Sequence, residues 1–77
     1  MPGPLTAKQE KLLALFKTAI EEERKAQKLY REALYFCEEI SLRDLIESFI
    51  GEEKKHEEIL LRKYSELRKT DEFKDIA

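Results

Sequence analysis

The stretch LLALFKTAIEEERKAQKLYREALYFC, residues 12–37, decides the fold. Within it Leu12, Phe16, Ala19, Glu23, Ala26, Tyr30, Ala33 and Cys37 recur at alternating steps of four and three. That is the seam of a helix lying against a partner helix. Leu13, Leu15, Ile20, Leu29 and Leu34 widen the apolar stripe beyond what one partner covers. One seam position breaks the pattern, because Glu23 stands among Ala, Leu and Phe.

Working outward, Thr6 followed by Gln9 fits a capping box that starts this first helix. The helix is expected to end between Glu38 and Ile40. Ser41 with Asp44 three residues on is a second capping signal. The second helix then carries Leu42, Leu45/Ile46, Phe49, Glu53, His56, Leu60, Tyr64 and Leu67 on its own seam. Gly51 interrupts it. A mid-helix Gly costs about 1 kcal/mol relative to Ala, so close helix approach or access to a site is its expected reason. The domain plan is a disordered leader over residues 1–5, a helical hairpin over 6–69, and a tail over 70–77. In that tail Thr70, Asp71 and Glu72 could cap a last turn through Ile76.

Composition agrees. With 42% of its 77 residues charged, 42% hydrophobic, two Gly, two Pro and no Trp, the chain reads as long helices of one small domain. The net charge of −2 comes from interleaved signs. Pairs such as Glu21 and Lys25 or Lys54 and Glu58 sit four apart, as on solvated helix faces. No basic stripe interleaved with aromatics appears, which argues against nucleic acid as a partner. No apolar run approaches the ~20 residues of a membrane span. Met1-Pro2-Gly3-Pro4 lacks the charged start and apolar run of a signal peptide, so a cytoplasmic protein is expected. Cys37 is the single cysteine, which excludes an internal disulfide and a four-Cys metal site; a small packing residue is expected there.

The short connection makes the helices an antiparallel hairpin. About 30 residues at 1.5 Å each give ~45 Å helices whose apolar stripes are too wide for one another. Two hairpins associating into a four-helix bundle of C₂ symmetry would cover them. Counted from the turn, Glu23 lies ~24 Å up the first helix, and Glu53 and His56 lie ~17 and ~21 Å up the second. The three side chains can therefore converge. A buried carboxylate is costly unless paired, protonated or metal-bound. Hard carboxylates with one imidazole per metal suit Fe or Mn better than a closed structural Zn site. Because Glu is abundant here, Glu53-x-x-His56 alone is a weak signal. Its strength comes from Glu23 and Glu53 both falling on otherwise apolar seams.

Two segments carry a family resemblance. Residues 19–30, AIEEERKAQKLY, resemble the first-helix signature of rubrerythrin-like proteins, and residues 49–56, FIGEEKKH, resemble their second-helix Glu-x-x-His signature. The 30-residue separation of Glu23 and Glu53 is also usual in this family, encapsulated ferritins included. The resemblance covers about residues 10–65. It implies a ferritin-like di-iron carboxylate centre with two Fe per dimer, Glu23 as terminal ligand, Glu53 as bridging ligand and His56 as terminal imidazole. Tyr30 would be a phenol near the metals. A full rubrerythrin has both helix pairs and a four-Cys module in one chain; here a peroxidase would need a separate electron donor. The family's additional carboxylate one turn past a first-helix Glu is replaced by Ala26, which weighs against peroxidase chemistry. Residues 71–77 do not resemble the cargo-targeting tail of encapsulated ferritins.

The expectation is thus an all-α homo-oligomer, a dimer or a multiple of dimers, acting as a di-iron oxidoreductase that oxidises Fe(II) with oxygen or peroxide. Mn or Zn are alternative occupants. Phe16 and Phe49 are expected to keep the site dry, while Glu22, Glu52 and Glu57 are expected on the solvated surface. The rival expectation is a non-catalytic dimerisation module whose seam carboxylates set register.

Overall fold

The computed structural model describes residues 5–69, which form two helices of equal length, α1 (Ala7–Phe36) and α2 (Ile40–Lys69), packed as an antiparallel hairpin. The α1 start is the capping box read from the sequence. The Gln9 backbone N–H donates to Thr6 Oγ1 at 3.1 Å, and the Thr6 N–H donates to Gln9 Oε1 at 2.7 Å. Two of the amides that a helix start leaves without partners are satisfied in this way. Residues 1–4 of the expected leader, and the tail with its Thr70–Asp71–Glu72 cap, lie outside the described residues.

The turn differs from expectation. α1 stops at Phe36, and α2 begins at Ile40, where the Arg43 N–H donates to the Glu39 carbonyl at 3.0 Å. Ser41 therefore lies inside the first turn of α2 and caps nothing; its hydroxyl bonds the Glu39 carboxylate. What closes the connection is Arg43. Its Nη1 donates to the carbonyls of Leu34 and Cys37, at 2.7 Å each. A cation at a helix C-terminus satisfies orphaned carbonyls and complements the macrodipole. Cys37 is the C-cap, half-buried, with its thiol 3.6 Å from the Glu39 carbonyl.

The seam keeps most of its expected positions. Phe16, Ala19, Glu23, Ala26, Tyr30 and Cys37 on α1, and Ile46, Phe49, Glu53, Leu60, Tyr64 and Leu67 on α2, are half-buried or buried. Its centre, however, leans one residue past the expected phase. α1 turns Leu13, Phe16, Ile20, Glu23, Gln27, Tyr30 and Leu34 toward α2, and Leu12 and Ala33 are exposed. α2 answers with Arg43, Ile46, Ile50, Glu53, Glu57, Leu60 and Tyr64, while Leu42, Leu45 and His56 are exposed. The reason is bulk. Ile20 and Leu34 fill an interhelical gap better than their neighbours Ala19 and Ala33. Ile20 on α1 and Ile46 on α2 are the most buried apolar residues, and the Tyr30 and Phe49 rings meet across the seam at 5.5 Å.

Covering one stripe leaves a second in water. Leu12, Leu15 and Leu29 on α1, and Leu42, Leu45 and Ile59 on α2, are 42–62% exposed. A groove lined by Leu12, Leu15, Phe16, Ala19 and Leu60 places both halves of this stripe on the same side of the hairpin. The opposite side carries Lys17, Glu21 and Arg24 with Leu61 and Tyr64. Gly51 faces open space, where an added Cβ would meet nothing within 4 Å, so no close approach occurs there within the hairpin. Neither helix is long and apolar enough to cross a membrane.

Candidate metal centre

Glu23, Glu53 and His56 do meet. They come from the middle of each helix, and their ligand atoms lie within 4.8 Å of one another. Glu23 Oε2 is 3.7 Å from His56 Nδ1, and Glu53 Oε2 is 3.9 Å from the same nitrogen. A helix places i and i+3 on one face, which brings Glu53 and His56 together; the hairpin supplies Glu23 opposite them. Metal–donor bonds of ~2.1 Å hold neighbouring donors ~3 Å apart, so a side-chain contraction of about 1–2 Å would gather the three around one cation.

Burial is uneven. The carboxylates are about four-fifths covered, whereas the His56 side chain is 55% exposed on the flank that bears the apolar stripe. His56 is therefore not a seam residue as expected; Glu57 takes the inward position. Its place on the flank points the cluster out of the hairpin toward the uncovered stripe.

Glu23 Oε2 is buried without a hydrogen-bond partner. The neighbouring Glu53 carboxyl, followed by burial, holds the Glu23 pKa above the ordinary carboxylate range, and His56 pulls it down. Two carboxylates at this separation resist ionising together. A proton or a cation between them removes the conflict.

One turn away the same helices hold a second polar cluster that the sequence reading missed. Arg24 Nε donates to Glu57 Oε2 at 2.7 Å, and Gln27 Nε2 donates to Glu57 Oε1 at 2.7 Å. Arg31 Nη2 reaches Gln27 Oε1 at 3.4 Å. Gln27 is one of the most buried residues of the hairpin, at 5% exposure. The Arg24 hydrogen bond, then the Gln27 one, holds the Glu57 pKa below its ordinary value. Glu57 is thus a cross-helix anchor and not a solvated surface acid. Steps of three and four from Leu13 lead to Gln27, and that phase would have exposed the pair in the sequence.

Of the remaining expected residues, Tyr30 is half-buried and packs its ring on Phe49, and among the described residues its hydroxyl makes no hydrogen bond to Glu23 or Glu53. Phe16 and Phe49 are half-buried, two turns before Glu23 and one turn before Glu53 respectively. Glu22 and Glu52 are exposed as expected, Glu22 pairing with Lys25 at 3.3 Å. Compared with known proteins, the chain matches no family model, no curated protein and no solved structure. The functional reading therefore rests on these residues and their geometry.

Proposed function

We propose that this chain is a di-iron carboxylate protein, in which two hairpins join their open apolar stripes into a ferritin-like four-helix bundle. The observation that carries this reading is the orphaned, buried Glu23 oxygen facing Glu53 and His56 at the edge of that stripe. One hairpin offers three donors, fewer than a transition ion takes. Two copies related by a twofold axis through the cluster offer four Glu and two His, the donor set of di-iron carboxylate bundles.

Glu23 and His56 would hold one iron per chain, and Glu53 would bridge the pair. Iron bound there supplies one-electron redox chemistry with oxygen or peroxide, whether Fe(II) is the substrate or a resident cofactor. The protein's part follows from its own groups. The carboxylates would neutralise the charge of the cations they hold. Phe16 and Phe49 would limit water, with Tyr30 packed on Phe49.

The second reading, a dimerisation module without catalysis, rests on the same stripe, with Glu23 and Glu53 setting register. Metal-dependent melting separates the two. A ligand at 1,000 times its Kd adds about 4 kcal/mol to stability, and about 1 kcal/mol moves Tm by roughly 4–8 °C in a domain this small. Anaerobic Fe(II) is therefore expected to raise the wild-type Tm by more than ~10 °C. Glu53→Ala should stay helical and lose that gain. Equal melting of both proteins with and without iron would favour the module.

A further inference from the structure

The open end of the hairpin carries a groove that neither helix fills. It is apolar, about 370 Å³ in volume, and lined by Ala7, Lys8, Lys11, Leu12 and Leu15. Leu12 and Leu15 supply its apolar surface and are 42% and 53% exposed. Lys8 and Lys11 stand at its edge. Among the described residues neither takes part in an ion pair, whereas Lys25 and Lys63 are paired with Glu22 and Glu66. The groove ends at Leu15, eight residues before Glu23, so it belongs to neither of the polar clusters described above.

The chain itself returns to this end. Both helices are 30 residues long, so Lys69 leaves the hairpin level with Ala7. Residues 70–77, TDEFKDIA, follow. Extended at ~3.3 Å per residue they reach ~26 Å. Helix axes lie ~10 Å apart, and the groove runs ~12 Å along α1 from Ala7 to Leu15 at 1.5 Å per residue. The segment is long enough for both distances together.

Order and charge match as well as length. A chain that leaves Lys69 and turns back along α1 passes Lys8 and Lys11 before Leu12 and Leu15. The segment presents Asp71 and Glu72 first, then Phe73 and Ile76, with Asp75 against the single Lys74. Its acids thus arrive beside the two lysines. Phe73 and Ile76 are three residues apart, as are Leu12 and Leu15, so one helical turn brings each pair to a single face. Residues 1–4 start from the same end, but MPGP brings no acid to the lysines.

We infer that this groove is the docking site of the chain's own residues 71–76, with Phe73 seated on Leu12 and with Asp71 and Glu72 paired to Lys8 and Lys11. The docked segment closes the open end of the hairpin, as Arg43 closes the turn. It stops about two turns short of Glu23 and leaves the ligand cluster uncovered. The inference goes beyond the metal reading and draws nothing from it.

The chain contains no Trp, so Phe73→Trp in the full, metal-free protein is a single fluorescent reporter. Its emission should be blue-shifted, and its quenching by acrylamide severalfold weaker than in a peptide of residues 70–77 with the same Trp. Leu15→Glu sets a charge in the groove at an exposed position and should restore peptide-like quenching, with helicity by circular dichroism unchanged. Lys8→Glu with Lys11→Glu should do the same, and adding Asp71→Lys with Glu72→Lys should return the protection. Peptide-like quenching in the Phe73→Trp protein, or protection that survives Leu15→Glu, overturns the inference. Protection that fades on dilution places the segment on a second copy and overturns docking within the chain. A second measurement spares the groove an indole. In Phe73→Ser, amide exchange over residues 8–15 should quicken severalfold, and an unchanged pattern overturns the inference. Each of these failures leaves the metal reading to its melting test.

Discussion

Two acidic groups face α1 from neighbouring positions on α2, and they have opposite fates. Glu57 is met by Arg24 and Gln27 at 2.7 Å each, and its charge is stabilised within the hairpin. Glu53, four residues earlier, faces the orphaned Glu23 oxygen and an exposed imidazole. Both clusters lie in the same short length of seam. The hairpin therefore has the means to satisfy a seam carboxylate and does so on one flank only. A fold that leaves three metal-type donors unreconciled beside one that is fully paired has separated structural polarity from chemical polarity. The paired cluster lies on the charged side of the hairpin. The unreconciled one looks toward the uncovered apolar stripe.

The comparison breaks most readily at Gln27. Gln27→Ala removes a buried donor, and leaving its partner short costs about 1–3 kcal/mol, which is a large share of the stability of so small a domain. Denaturant unfolding should show that loss, while the iron-induced rise in Tm persists unchanged. If Gln27→Ala also abolishes the iron response, the two clusters act as one unit and the division fails.

Legibility in the sequence divided along the same line. The hairpin and the trio Glu23, Glu53 and His56 were readable because a carboxylate in an apolar heptad has few innocent explanations. The phase of the seam was not. Leu12 with Leu13, and Ala19 with Ile20, offer two apolar stripes one residue apart, and both keep Phe16, Glu23 and Tyr30 inward. Choosing between them required weighing bulk, and the choice hides Gln27, which looks like a surface residue in the wrong phase. The closure by Arg43 was illegible for another reason. It bonds carbonyls of Leu34 and Cys37, nine and six residues back, which become neighbours only after the chain turns.

A smaller effect sharpens the contrast through pH. Glu23 has a raised folded pKa, so its contribution is fully present below the unfolded carboxylate pKa and is lost as pH rises through the folded value. Glu57, with a lowered pKa, contributes above the unfolded value and loses that contribution as pH falls through the folded one. Metal-free Glu23→Gln should therefore melt a few degrees higher than wild type near neutral pH, and the difference should shrink in acid. Glu57→Gln should show the reverse, melting lower near neutral pH and converging on wild type in acid. Parallel pH profiles for the two variants would show that both carboxylates sit in equivalent surroundings.

Anaerobic Fe(II) titration of the metal-free protein, followed by oxygen or peroxide, bears most directly on the central claim. One tightly bound iron per chain, then the near-ultraviolet absorbance of an oxo-bridged ferric pair, is the result expected of a centre shared by two hairpins. Iron that fails to bind tightly, or binds equally to Glu23→Ala, would contradict it and leave a helical hairpin whose inward carboxylates hold no metal.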